Sequence, residues 1–122
     1  MSFINVIIVG LGGFIGTVLR YLIGSIPVRE CFGFPVKTFA INVIGAFVIG
    51  LVAAMAAHRD LDPRLVLFLK VGICGGFTTF SSFTLETSSL LKGGNTVTAA
   101  CYLILSIVAG VAAVFCAEAI MR

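Results

Sequence analysis

The chain has 122 residues, 60% of them hydrophobic and only 11% charged, with a mean hydropathy of +1.20. That composition excludes an ordinary soluble domain and any disordered segment. A net charge of +3 is too small to signal nucleic acid, so the chain reads as an integral membrane protein.

Apolar runs cover residues 3–26, 36–57, 65–91 and 96–121, each at or beyond the roughly 20 residues needed to cross about 30 Å of hydrocarbon. The connectors at 27–35, 58–64 and 92–95 are too short to carry a soluble domain. The expectation is an all-α membrane protein whose single four-helix transmembrane domain spans 1–122 and works within the bilayer. The first run lacks a basic start and contains Arg20, so it predicts a retained helix rather than a signal peptide.

In that first span Gly12, Gly16, Arg20 and Gly24 recur every four residues. On a helix this is one stripe of small residues, where backbones approach closely. Arg20 on such a stripe faces protein, serving structure or ion attraction, unless it snorkels to the headgroups. The same span holds Gly10, Gly12 and Gly13 after an aliphatic run, a partial dinucleotide fingerprint. The third glycine slot is Ile15, and the one acid near positions 30 to 40 is Glu30, in a loop after Pro27. With no strand and helix alternation downstream, nucleotide binding is excluded.

The second span places Thr38, Asn42, Ala46, Gly50 and Ala54 at four-residue steps. Asn42 either bonds across a helix interface or offers its amide donors to a passing anion. The third span contains Gly75-Gly76-Phe77-Thr78-Thr79-Phe80-Ser81-Ser82-Phe83. A glycine-broken run of rings and hydroxyls at membrane depth persists only when buried in protein or lining an aqueous path. The expected break unwinds Gly75 to Thr78, and the helix beyond it puts Phe80, Phe83, Thr87 and Leu90 on one side. Paired phenylalanines are ordinarily core, yet ring edges carry partial positive charge and the hydroxyls of Thr79, Ser81 and Ser82 can donate to an anion. Glu86 reads as a capping, hydrogen-bonding or proton-coupling acid. In the fourth span Tyr102, Ser106 and Gly110 share the stripe expected to face this polar track.

Cys31, Cys74, Cys101 and Cys116 lack any metal-ligand spacing and read as packing thiols; His58 reads as a loop residue. Basic residues in short loops divide evenly, Arg59, Arg64 and Arg122 against Arg29, Lys37 and Lys92. The positive-inside rule then selects no orientation. The simplest consequence is a chain that inserts both ways and pairs antiparallel; the alternative is a topology fixed by other means.

Three segments, Gly12-Gly13-Phe14-Ile15-Gly16-Thr17-Val18-Leu19-Arg20-Tyr21, Asn42-Val43-Ile44-Gly45-Ala46-Phe47 with Gly50, and the 75–83 run, together resemble the Fluc family of fluoride channels, also called CrcB fluoride exporters. The resemblance covers nearly the whole chain. It implies a dual-topology antiparallel homodimer in the bacterial inner membrane, with two pores lined by both subunits and broken third helices crossing at the centre. It further implies a structural sodium ion on the carbonyls of Gly75 and Thr78, and a phenyl box of Phe80 and Phe83 along the fluoride path. Asn42 would bond the ion, Tyr102 and Ser106 would match fourth-span pore positions, and Thr79, Ser82 and Glu86, with Thr38, would continue the polar track. Arg20 would supply positive charge near an entrance. Two positions depart from the pattern: Gly110 stands where a second fourth-span hydroxyl is expected, and Ser82 where threonine is common. The implied activity is passive, fluoride-selective export that confers fluoride resistance, without catalysis or nucleotide. The alternatives are a small multidrug-type proton-coupled exporter, whose usual first-span acid is missing here, and one half of a heterodimeric fluoride channel.

Neutralising Arg59 and Arg64 together is expected to bias insertion so that the N-terminus faces outside. Tag accessibility in cells reads this directly, and an unchanged distribution would count against charge balance as the determinant.

Overall fold

The computed structural model describes residues 2–122 and contains helices with no strand among the described residues. Helix α1 is Phe3–Gly24, α2 is Val36–His58 and α6 is Thr96–Ile120. Between α2 and α6 the chain is segmented into α3 (Pro63–Val66), a π-helical stretch (Leu67–Cys74), α4 (Gly75–Phe77) and α5 (Phe80–Lys92). Four helical stretches, Phe3–Gly24, Val36–His58, Pro63–Lys92 and Thr96–Ile120, are long and apolar enough to cross a membrane.

The ends follow local chemistry. Pro27 disfavours helix at the preceding residue, and α1 stops at Gly24 with the Ser25 hydroxyl donating to the Tyr21 carbonyl. The third span starts at Pro63, earlier than the apolar run, because proline suits a first helical position and Asp62 caps it by accepting from the Arg64 amide at 2.9 Å. The connector before α2 turns through two left-handed residues, Phe32 (φ 57°) and Gly33 (φ 74°). Lys37, counted from sequence as a loop charge, instead lies in the first turn of α2 and donates to the Gly24 carbonyl at 2.8 Å.

Glycines set the helix contacts. A Cβ on Gly12 would lie 2.6 Å from the Phe68 carbonyl oxygen and 2.9 Å from Gly72 Cα, and one on Gly16 would collide with the Ile73 carbonyl. Helix α1 therefore rides directly on the π-helical backbone, whose wider turn brings Gly72 and Ile73 against it. On α2, a Cβ on Gly50 would sit 3.0 Å from both Ala117 Cβ and the Val114 carbonyl oxygen of α6. Gly24, the last member of the first stripe, meets nothing within 4 Å.

The expected unwinding at Gly75 is displaced. Gly75 is helical (φ −63°, ψ −38°), and the non-helical residues are Thr78 and Thr79. Gly76 serves contact instead, since its Cβ would approach Gly13 Cα at 3.0 Å. The expected common side of α5 also divides: Phe83, Thr87 and Leu90 are buried, but Phe80 is 76% exposed. Phe83 and Leu90 join Ala99 and the fully buried Tyr102 in a small core at the end of α5 and α6. The Phe83 and Tyr102 rings meet edge to face, centroids 4.9 Å apart. Of the cysteines expected to pack, only Cys74 is buried; Cys31, in the connector before α2, and Cys101 and Cys116 of α6 lie on the surface of the chain.

Gly16→Ala is expected to destabilise the fold by about 1–3 kcal/mol through overpacking against backbone that cannot yield. Gly10, with nothing within 4 Å, should gain up to about 1 kcal/mol as alanine from helix propensity. Thermal unfolding of the two variants in one detergent distinguishes them by sign.

Candidate functional site

The centre of the site is the extended step at Thr78 (φ −79°, ψ 155°) and Thr79 (φ −146°, ψ 120°). An amide and a hydroxyl replace the lost helical bonds. The Thr79 amide donates to Asn42 Oδ1 at 2.8 Å while Asn42 Nδ2 donates to the Thr79 carbonyl at 3.0 Å. Thr79 then caps α5, its Oγ1 accepting from the Ser82 amide at 3.2 Å, the geometry expected of a threonine N-cap. Thr78 turns its hydroxyl back to the Cys74 carbonyl at 2.9 Å. In an unbroken helix the Thr79 and Ser82 amides would serve the carbonyls of Gly75 and Thr78; both donors are diverted here.

A third freed carbonyl, that of Gly76, is taken by α1. Arg20 Nε donates to it at 3.2 Å and Thr17 Oγ1 at 3.4 Å. Arg20 thus faces protein and places its positive charge at the C-terminal end of α4, where freed carbonyls favour a cation.

Two cavities flank the step. The larger, about 350 Å³, is lined by Arg20, Lys37, Thr38, Thr79, Ser82 and Glu86 among others. Inside it the Glu86 carboxylate accepts from Thr38 Oγ1 at 2.8 Å through Oε2, and from the Tyr102 hydroxyl at 2.9 Å through Oε1. Three helices therefore meet on one carboxylate. The smaller cavity, about 220 Å³, is lined by Asn42, Thr78, Thr79, Phe80 and Phe83. Thr79 lines both, so the extended step is the wall they share. Phe80 and Phe83 stand with ring centroids 6.0 Å apart, tilted by 55°.

The structure thus gathers Arg20, Thr38, Thr79, Ser82 and Glu86 at one cavity, Asn42, Phe80 and Phe83 at the other, and ties Tyr102 to the first through Glu86. Ser106 is not drawn in: its hydroxyl oxygen is buried without a hydrogen-bond partner. Gly110 meets nothing within 4 Å. Sequence reasoning passed over Thr17 and gave Lys37 and Glu30 no role at the site, although Lys37 and Glu30 also line the larger cavity. Thr17 was within reach of the pattern, since it precedes Arg20 by three residues on the same side of α1.

Fold and site define a four-span helical membrane protein with polar cavities set between its helices. Residues 7–118 match the family model described as CrcB-like protein, Camphor Resistance (CrcB). The chain belongs to the CrcB-like family. It is 46% identical over 121 residues to a protein of Allorhizobium ampelinum, covering 97% of this chain and 96% of that one. It is 43% identical over 121 residues to relatives from Agrobacterium fabrum, covering 98% and 97% of the two chains, and from Prosthecochloris aestuarii, covering 98% and 94%. All three relatives are described as fluoride-specific ion channel FluC, a channel and not an enzyme.

Asn42→Ala removes both bonds to Thr79, leaving a half-buried amide and carbonyl without their partners. The expected cost is about 1–3 kcal/mol, the sum of two hydrogen bonds of about 0.5–1.5 kcal/mol each, read as a fall in unfolding temperature; a change no larger than that of Ala46→Ser would show that the pair does not hold the step.

Proposed function

We propose that the chain is a fluoride-selective passive channel that lets cytoplasmic fluoride leave down its electrochemical gradient and so confers fluoride resistance. The observation that carries this reading is the continuity of weak donors across the two cavities, from Thr38 and Ser82 through Thr79 to Asn42, Phe80 and Phe83, with Arg20 beside the first. The names of the relatives supply the identity of the ion.

Fluoride is small and tightly hydrated, so a path for it must replace water with several donors, none strong enough to hold it. Arg20 and Lys37 draw the anion into the larger cavity. Each hydroxyl has a single proton to give; Thr38 and Tyr102 hold theirs on Glu86, and an arriving fluoride competes for them. Ser82 and Thr79 add hydroxyls along the same wall. Asn42 keeps one amide hydrogen beyond its bond to Thr79, available on the side of Phe80 and Phe83, whose ring edges complete the path. An inside-negative potential drives the anion outward by about 2.3 kcal/mol per charge per 100 mV, so the movement needs neither nucleotide nor proton coupling.

The working form is an antiparallel homodimer of dual topology in the bacterial inner membrane, with the extended steps of two third spans crossing at the centre. Phe80 at 76% exposure and Gly75 with open space at its Cα support this, since a second copy would cover both. A structural sodium ion fits the donors present. The carbonyls of Gly75 and Thr78 have lost their helical amides to Asn42 and Thr79, and neutral carbonyl oxygens suit a hard monovalent cation. Bound there, the ion would neutralise carbonyls at the meeting of the two copies.

Efflux from liposomes holding only this purified chain tests the reading. Fluoride is expected to leave and chloride to stay; equal chloride flux or dependence on a proton gradient would overturn it, and absence of flux would point to a required sister chain. Phe80→Ile should slow fluoride at least about tenfold, an effect of about 1.4 kcal/mol, with the dimer intact by cross-linking. Unchanged flux would assign the ring to packing.

A further inference from the structure

A third polar cavity lies away from the extended step, where α2 and α6 end. It measures about 280 Å³ and is lined by Ala53, Ala54, Ala57, His58, Glu118 and Arg122. His58 is the last residue of α2, and Glu118 stands in the final turn of α6, which closes at Ile120. The two helices touch backbone to side chain at Gly50 and Ala117; beyond that contact the alanines are too short to fill the space between them.

From this geometry we infer that the cavity is a binding site for the headgroup of an aminophospholipid, phosphatidylethanolamine being the member that fits. The cavity sits at the ends of two spans, the level at which headgroups lie. Its rim carries both signs of charge in Arg122 and Glu118: Arg122, with the His58 imidazole beside it, faces a phosphate, and Glu118 accepts from a primary ammonium. That pairing separates the lipid classes. Phosphatidylglycerol offers Glu118 only neutral hydroxyls and no cation to pair with it. Phosphatidylcholine carries a quaternary ammonium with no N–H to donate. The alanine floor gives the glycerol stem an apolar bed that a free phosphate would not use. Glu118 is half-buried at the end of an apolar run, and a lipid ammonium supplies its partner.

Native mass spectrometry of the purified full chain, released from bilayers of equal phosphatidylethanolamine, phosphatidylcholine and phosphatidylglycerol, tests the site by retained lipid, a readout separate from ion flux. Phosphatidylethanolamine is expected to be retained over both others. Glu118→Gln should reduce that preference about fivefold, the scale of one partly exposed ion pair, while Arg122→Gln should lower retention of every phospholipid. Ala57→Leu, which fills the floor and leaves the charges, should also displace the lipid. Equal retention of the three lipids, a preference for phosphatidylglycerol, or retention unchanged in Glu118→Gln and Ala57→Leu would overturn the inference. So would competition by soluble phosphoethanolamine as effective as by the lipid, which would assign the site to a free headgroup.

Discussion

The reciprocal pair between Asn42 and Thr79 is the interaction on which the rest of the site depends. A helix opened at membrane depth leaves backbone groups with no water to meet them, at several kcal/mol each. Asn42 meets an amide and a carbonyl with one side chain, accepting through its oxygen and donating through its nitrogen, two atoms set apart across one planar group. Because the amide is neutral, it fixes the step without adding charge. Its own position is set by α2, where Gly45 admits Thr78 and Phe77 and Gly50 admits α6. The small residues of α2 are thus the support for an irregular piece of a different helix.

The step then decides where charge can sit. Diverting amides frees the carbonyls of Gly75, Gly76 and Thr78, an electronegative ledge in a low-dielectric setting. Arg20 answers the Gly76 carbonyl from α1, and it can reach because Gly12 and Gly16 bring α1 onto the backbone of the π-helical stretch. Close packing and electrostatics are one arrangement here: a side chain at Gly16 would move the guanidinium away from the carbonyl that anchors it.

Much of this was legible in the sequence. Four spans, the contact stripes and the polar composition of the third span followed from length, four-residue spacing and the cost of polar groups in lipid. What was misplaced was the position of the irregular residues. Paired glycines suggested unwinding, yet Gly76 is needed for approach to Gly13 and remains helical, while the extended pair is Thr78 and Thr79. β-branched threonines suit extended backbone, and the decisive partner, Asn42, is distant in sequence, so spacing within one span could not reveal it. The exposure of Phe80 has a different cause: it shares the helical phase of Phe83 but is the first residue of α5, where its ring is left uncovered by the rest of the chain.

The carboxylate of Glu86 shows why the site can hold acid and base together without locking. Arg20 and Lys37 share its cavity, but Arg20 donates to the Gly76 carbonyl, Lys37 donates to the Gly24 carbonyl, and Glu86 is held by two hydroxyls. Each charge is satisfied by neutral groups from a different helix, so none is bound to its opposite. A buried ion pair would gain attraction but hold both partners fast against a large desolvation cost. Hydroxyl partners are weaker and turn about one bond, which leaves the cations free to attract an anion and the hydroxyls free to release a proton donor to it. In the channel we propose, that separation of charge from its counter-charge lets the entrance attract fluoride without retaining it.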